Sequence, residues 1–356
     1  MPSRITQLRV APTLVAPRAS VPHALVPGTR VGSYTIERKL AEGGMAIVYE
    51  AVHQVLPRRA ALKVMRDASL GESARTRFLR EACLLADLRH RAIVDVHDAG
   101  MLADGRAWLV MNLVNGTTLA DRLLVRGALT PAEVVELVRH IAAALASAHE
   151  AGVVHRDLKP ENVFVVDDAA CPVRVIDWGI ALAAHQAEER LTVDGTITGT
   201  PHYMAPEQIR GELVDGKCDV YSLGIMMYEL LAGQPPFEGG MMDIIAHQLT
   251  AAPPPLCVRA PATPVWLAAL VNMMLAKQRA QRPTMAQVMA ALDGLTPRVR
   301  TLAADGEDDD LVIEMTADME EDEVDHELDQ LIAELSPEPV ATLAPALRRI
   351  ALGSNG

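Results

Sequence analysis

The chain has 356 residues, half of them hydrophobic and only 3% aromatic, so a mainly aliphatic core larger than one small domain is expected. No uninterrupted apolar run reaches the ~18–20 residues of a membrane-spanning helix; the longest candidates, around 265–276 and 140–148, carry polar breaks and read as core helices. The net charge of −13 sits in one place: sixteen acids and no Lys or Arg fall between 305 and 338, which leaves 33 basic against 30 acidic residues elsewhere and no nucleic-acid-binding stripe.

Residues 1–32 hold Arg4, Arg9 and Arg18 and no acid. Prolines at 2, 12, 17, 22 and 27 interrupt any apolar core there, so the stretch reads as a disordered Pro-rich leader rather than a targeting peptide. From Ser33 the pattern changes. Tyr34 and Ile36, then Val48, Tyr49, Ala51 and Val52, predict two strands around a Gly-containing turn. Residues 60–65 predict a third strand that carries Lys63. The spacing of Phe78, Ala82, Leu85 and Leu88 predicts a helix over 72–88, with Glu81 inside it. Two further strands are expected at 93–96 and 108–113.

The second half is mostly helical. Thr130-Pro131-Ala132-Glu133 combines an N-cap Thr, a Pro at the first helical position and a Glu that closes a capping box. That helix should run to about Glu150 and stop at Gly152. Further helices are expected at 219–233, 264–277 and 283–292. No internal repeat is evident. In the acidic tail, Val324, Leu328, Leu331, Ile332 and Leu335 share one helical face, so an amphipathic helix ended by Pro337 is expected. The four cysteines, Cys83, Cys171, Cys218 and Cys257, are scattered without a CxxC, as for reduced thiols in the cytosol.

The chemistry concentrates in His155-Arg156-Asp157-Leu158-Lys159-Pro160-Glu161-Asn162. Pro160 makes this a stiff loop, and apolar runs flank it. A carboxylate, an ammonium and a carboxamide within six residues can orient a hydroxyl, accept its proton and hold a hard cation. Mg²⁺ prefers oxygen ligands, and a second carboxylate follows as Asp177 in Ile176-Asp177-Trp178-Gly179.

This loop and the metal loop after it resemble the HRDxKxxN and DFG motifs of Hanks-type (eukaryotic-like) serine/threonine protein kinases, and the wording is similar to the bacterial branch. The resemblance covers about 33–295. It implies an α+β, bilobal protein-kinase fold: a small antiparallel β lobe with one helix over 33–114, joined through 112–116 to a larger, mainly helical lobe over 115–295. An acidic tail then occupies 296–356.

The resemblance also implies roles. Leu40-Ala41-Glu42-Gly43-Gly44-Met45-Ala46-Ile47-Val48 is similar to the glycine-rich loop over ATP, with Ala41 and Ala46 where the family usually has Gly. If either position needed a positive φ, its Cβ would cost ~1–2 kcal/mol. Lys63 would contact the phosphates and pair with Glu81, since an uncompensated buried ammonium is costly. Val48, Ala61 and Phe164 would enclose the adenine, Asn112 and Val114 would bond its edge, and Met111 would stand at the back. Asp157 would be the base, Lys159 would steady the phosphoryl group, and Asn162 and Asp177 would hold Mg²⁺. Trp178 replaces the usual Phe.

Gly199 to Glu207 resembles the end of an activation segment. Thr200 would bridge Asp157 and Lys159, Glu207 would pair with Arg282, and Asp219 would tie down the catalytic loop, a helix N-cap being the plainer reading of that residue. Arg156 would await a phosphate on Thr192, Thr196 or Thr198. The expected protein is a soluble, cytoplasmic signalling kinase that uses ATP and Mg²⁺ on Ser or Thr of protein substrates. The acidic helix is available to dock on the kinase body or a partner, or to stay solvated. The rival reading is a pseudokinase scaffold, favoured by the two missing glycines and opposed by the presence of Lys63, Glu81, Asp157, Asn162 and Asp177 together. A small-molecule kinase is disfavoured by Lys159 and the 199–207 segment.

Overall fold

The computed structural model describes residues 24–43, 46–66, 72–178 and 201–294, with two further strands at 297–301 and 311–315. The chain forms two compact units. The first comprises the described residues up to Leu79 together with Val96–Leu113; the second takes Arg80–Asp95 and the described residues from Val114 on.

The first unit is built on one antiparallel sheet of six strands: β1 (Arg30–Val31), β2 (Tyr34–Glu42), β3 (Ala46–His53), β4 (Arg59–Met65), β5 (Val96–Met101) and β6 (Ala107–Asn112), in the order β1-β2-β3-β4-β6-β5. Strand side chains alternate between faces. One face packs Ile36, Ile47, Tyr49, Leu62, Val64, Trp108 and Val110 into a buried cluster that also takes in Val31 and Tyr34. The helix α1 (Glu72–Asp87) follows β4. Its buried Phe78, Ala82 and Leu85 are three of the residues whose spacing predicted it.

Two expectations need correction here. The fold begins before Ser33: Arg30 pairs with Thr35 and Val31 with Tyr34, so the end of the supposed leader is a strand. The Leu25 N–H also donates to the Tyr49 hydroxyl at 2.8 Å. The strand expected at 93–96 is instead β5, three residues later. Ile93 makes only an isolated parallel bridge to Val175, and its burial explains the apolar signal.

The second unit holds a three-stranded antiparallel sheet, β7 (Thr117–Thr118), β8 (Val163–Val165) and β9 (Val173–Val175). Its helices are α2 (Leu119–Arg126), α3 (Pro131–Glu150), α4 (Pro206–Ile209), α5 (Gly216–Ala232), α6 (Met241–Thr250), α7 (Leu256–Arg259), α8 (Val265–Met274) and α9 (Met285–Leu292). The capping box read at 130–133 forms: Thr130 Oγ1 accepts the Glu133 N–H and the Glu133 carboxylate accepts the Thr130 N–H. Helix α2, unforeseen, uses the same device with Asp121 on Thr118. At the far end of α3, Gly152 adopts φ +76°. The Gly152 N–H bonds His149 O and the Val153 N–H bonds Ala148 O, a Schellman ending that turns the chain directly into residues 155–162.

Helix α5 is buried on nearly all sides, as befits a helix at the centre of a core. It starts three residues before the expected position, with Asp215 as N-cap accepting the Lys217 N–H. Asp219 is therefore an interior residue of the helix, and the N-cap reading is overturned. After α9, β10 (Pro297–Thr301) and β11 (Leu311–Met315) pair antiparallel, where only an acidic tail was expected. The tail helix at 324–335 and the leader over 1–23 lie outside the described residues. Among the described residues, no helix is long and apolar enough to cross a membrane.

Gly224 of α5 packs against the end of α8: a Cβ there would lie 2.9 Å from Met274 Cβ and 3.0 Å from Leu275 Cδ2. Those atoms are fixed by the backbone of α8 and the buried packing around Leu275. Gly224→Val is expected to destabilise the protein by ~1–3 kcal/mol through overpacking, read as a lowered urea midpoint with an unchanged slope.

Candidate active site

In the first unit, the sheet register sorts the expected nucleotide residues. Val48 pairs with Lys63, Lys63 with Leu109, and Ala61 with Met111. All five lie on the face opposite the buried Ile47–Tyr49–Leu62–Val110 cluster, because they alternate with its members along each strand. Leu109 was not singled out from the sequence, although the same alternation selects it. Leu40, Ala41 and Glu42 end β2 and are exposed, and the Gly43 N–H bonds Ala46 O at 2.9 Å across the turn. Neither Ala41 nor Ala46 has a positive φ; both sit in strands. The strain weighed for a Cβ at these positions does not arise. Asn112 is exposed at the end of β6, its Oδ1 2.6 Å from His97 Nε2.

In the second unit, the 155–162 loop hangs from α5. The fully buried Asp219 carboxylate accepts the His155 N–H on Oδ2 and the Arg156 N–H on Oδ1, each at 2.8 Å. His149 Nε2 of α3 lies 2.8 Å from Oδ2. Burial pushes the Asp219 pKa up, but the hydrogen bonds from His149 and from the His155 N–H outweigh it and hold the group below its usual value. Gln208 of α4 donates to the Arg156 carbonyl at 2.8 Å. The Arg156 backbone is thus held at both N–H and C=O, with φ at +66°, a conformation that costs an L side chain ~1–2 kcal/mol.

That geometry brings the reactive groups together. Lys159 Nζ donates to Asp157 Oδ2 at 2.8 Å. Asn162 Nδ2 donates to the Asp157 carbonyl at 2.7 Å and approaches Oδ2 at 3.3 Å. The Ile176 N–H bonds the Asn162 carbonyl at 2.9 Å, which ties the 176–178 stretch to the 155–162 loop. Asp177 follows with φ +57°. Trp178 is buried: its Nε1–H donates to Val175 O at 3.2 Å, and its ring centre lies 4.9 Å from that of His155. It is a packed substitute for Phe. Val114 and Phe164 belong to this unit, Phe164 within β8 opposite Arg174.

Glu207 and Arg282 meet as the sequence predicts. The pair is bidentate, at 2.7 and 2.8 Å, and almost fully buried. Arg282 also donates to the Ala276 and Lys217 carbonyls, so most of its fork is satisfied. Glu81 has an unforeseen neighbour, with its Oε1 accepting Arg156 Nη1 at 3.2 Å. Arg156 Nε is buried without a hydrogen-bond partner among the described residues. Gly44, Met45, Thr192, Thr196, Thr198 and Thr200 lie outside the described residues. His149 and Gln208 were missed in the sequence, since only the folded chain brings them to residues 155–156.

A glycine-bearing hairpin with its strand lysine, a loop hung from a buried aspartate and a following Asp-Trp-Gly define a protein kinase. Residues 34–292 match the protein kinase domain family, and the chain belongs to it. The chain is 43% identical over 217 residues to serine/threonine-protein kinase PknL of Mycobacterium tuberculosis, which covers 60% of this chain and 53% of that protein. It is 40% identical over 258 residues to serine/threonine-protein kinase PknE of the same species, covering 72% of this chain and 44% of that protein. It is 37% identical over 286 residues to serine/threonine-protein kinase pkn2 of Myxococcus xanthus, covering 76% of this chain and 34% of that protein. The chain thus spans about half or less of the length of these curated relatives. Among solved structures, the M. tuberculosis PknI kinase domain matches with a TM-score of 0.61 at 30% identity, over 76% of this chain and 99% of that one. Rad53 residues 1–466 in complex with AMP-PNP matches with a TM-score of 0.60 at 25% identity, over 72% of this chain and 64% of that one.

His155 supplies a pH test. Its Nε2 faces the Ile176 carbonyl at 3.0 Å and its Nδ1 accepts the Asp157 N–H at 3.3 Å, so both ring nitrogens are satisfied in the neutral form. Burial lowers its pKa, against the opposing pull of Asp219 and Asp157. The unfolded chain therefore takes up the proton first, and stability should fall as pH drops below about 6.5. His155→Gln cannot titrate, and its stability is expected to fall less than wild type between about pH 7 and 5 by urea titration. Equal losses in the two proteins would contradict the assignment.

Proposed function

We propose that this chain is a serine/threonine protein kinase that transfers the γ-phosphoryl group of ATP to Ser or Thr hydroxyls of protein substrates. The observation that carries the reading is the 155–162 loop: Asp157, Lys159 and Asn162 share one hydrogen-bonded cluster suspended from Asp219. Family membership and the serine/threonine-kinase relatives support it. Phosphoryl transfer asks the protein for position and charge rather than covalent chemistry.

Asp157 orients the acceptor hydroxyl and takes its proton as the new O–P bond forms and the bond to the β-phosphate oxygen breaks, leaving ADP. Lys159, already on Asp157 Oδ2, supplies positive charge to the transferring group. Lys63 binds the α- and β-phosphates and pairs with Glu81 in the active state, and the 40–48 hairpin covers them. Val48, Ala61, Met111 and Phe164 enclose the base, whose edge bonds the backbone at Asn112 and Val114. The AMP-PNP bound by Rad53 agrees with an adenine nucleotide as donor.

Asn162 and Asp177 fit a magnesium ion. Asn162 spends its amide nitrogen on Asp157, so its oxygen would be the atom to hold the cation, and Asp177 would add a carboxylate. Mg²⁺ completes such sites with phosphate oxygens and water, and when bound it neutralises phosphate charge. Residues 199–207 serve as the platform for the acceptor polypeptide, with Thr200 bridging Asp157 and Lys159. Autophosphorylation at Thr196 or Thr198, with Thr192 as a further candidate, orders that segment through Arg156. The enzyme works in the cytoplasm, where ATP and reduced thiols are found.

Asp157→Asn retains size and hydrogen bonding but not the base. With radiolabelled ATP and myelin basic protein, the variant is expected to lose ~10²–10⁴-fold in rate while still binding ATP. A variant within about threefold of wild type would defeat the proposal.

A further inference from the structure

Pro201, His202 and Tyr203 form a short 3₁₀ turn, and side chains from two helices grip its carbonyls. Ser222 Oγ of α5 donates to Tyr203 O at 2.7 Å. Gln248 of α6, fully buried, donates through Nε2 to Pro201 O at 3.3 Å and to His202 O. An amide nitrogen is the only end of that side chain that can serve two carbonyls, so the orientation of Gln248 is fixed. Its oxygen then needs a donor, and the Tyr221 hydroxyl of α5 provides it. The Tyr221 oxygen in turn accepts Lys277 Nζ at 2.8 Å. Donation runs one way along the whole series: ammonium to phenol, phenol to amide oxygen, amide nitrogen to the 201–202 main chain.

Lys277 is an unusual head for such a relay. Its Nζ stands 4.6 Å from the centre of the Phe237 ring and 5.3 Å from that of Tyr221, and donates also to His247 O at 3.2 Å. No carboxylate forms an ion pair with it among the described residues. Burial, then the Arg282 guanidinium, push its ammonium down to about 8. Arg282 also lies over Tyr221, 4.8 Å from the ring centre, and so crowds the same aromatic platform with a second cation. A desolvated ammonium held by rings and neutral oxygens is a costly arrangement unless the oxygens it serves matter.

We propose that Lys277 is a positioning residue for the acceptor polypeptide, acting through Tyr221 and Gln248 to fix the Pro201 and His202 carbonyls on the substrate platform. The inference rests on the kinase reading above. It predicts that cutting the relay impairs handling of the protein substrate and spares that of ATP, because none of the three residues belongs to the nucleotide constellation.

The test is steady-state kinetics on the full chain with myelin basic protein, varying it and ATP in turn. Tyr221→Phe removes only the hydroxyl; Lys277→Met removes only the charged donor and keeps the stem. Each is expected to raise KM for myelin basic protein about tenfold, with KM for ATP within about twofold of wild type. The double variant is expected to be no worse than either single one, since both break the same series. Lys277→Arg, which keeps a cationic donor, is expected to recover part of the loss. Unchanged KM for myelin basic protein in Tyr221→Phe, or losses that multiply in the double variant, would overturn the proposal. Wild-type protein that phosphorylates nothing would instead overturn the kinase reading itself.

Discussion

The Asp219 carboxylate accepts two backbone N–H groups and faces the imidazole of His149, all at 2.8 Å, from inside a helix buried on nearly every side. A buried carboxylate with these partners stays ionised, and as an ion it binds N–H donors more strongly than a neutral oxygen would. The consequence is local and mechanical. Two consecutive peptide groups, His155 and Arg156, are nailed to the core of the second unit, and the left-handed turn at Arg156 is maintained against its intrinsic strain. Asp157 is the next residue. Its position is thus set by the bonds of the two preceding N–H groups to a buried helix of the core, and Lys159 and Asn162 are set in turn by their bonds to Asp157.

A second anchor secures the other side of the same unit. The buried Glu207–Arg282 pair binds α4 to the segment before α9. Arg282 adds bonds to the carbonyls of Lys217 and Lys277, so the pair also reaches the start of α5 and the turn after α8. Gln208, beside Glu207, holds the Arg156 carbonyl. The 155–162 loop and the 201–207 segment are therefore braced by overlapping sets of residues on α4 and α5. Positioning of this kind matters where catalysis is electrostatic, because a misplacement of about 1 Å can cost 10²-fold in rate.

How much of this the chain disclosed depends on range. The reactive loop was legible because its groups lie within eight residues, with the proline that stiffens them among them. The α3 start was legible because a capping box is written in four consecutive residues, and its end because only glycine takes the turn at Gly152 easily. The same local grammar is written at α2, where Thr118 and Asp121 close a box with an aspartate, but that helix was not read from the sequence. The interior role of Asp219 was not legible from spacing, since Asp215, four residues earlier, is the true N-cap. His149, Gln208 and Gln248 were invisible for a related reason: a polar residue on a helix looks solvated until a distant segment needs its hydrogen bond. The strand expected at 93–96 failed because a short apolar run cannot distinguish a paired strand from a buried connection. The alanines at 41 and 46 looked strained only on the assumption of a positive φ, which the strands do not impose.

One buried carboxylate sets the geometry of residues 155–157, and Asp219→Asn tests this most directly. The amide oxygen can still accept one backbone N–H, but its NH₂ must face the other. Single-turnover phosphoryl transfer with saturating ATP should then slow by ~10²-fold in a variant that remains folded and binds ATP as wild type does. A folded variant with the wild-type single-turnover rate would show that residues 155–157 hold their arrangement without Asp219.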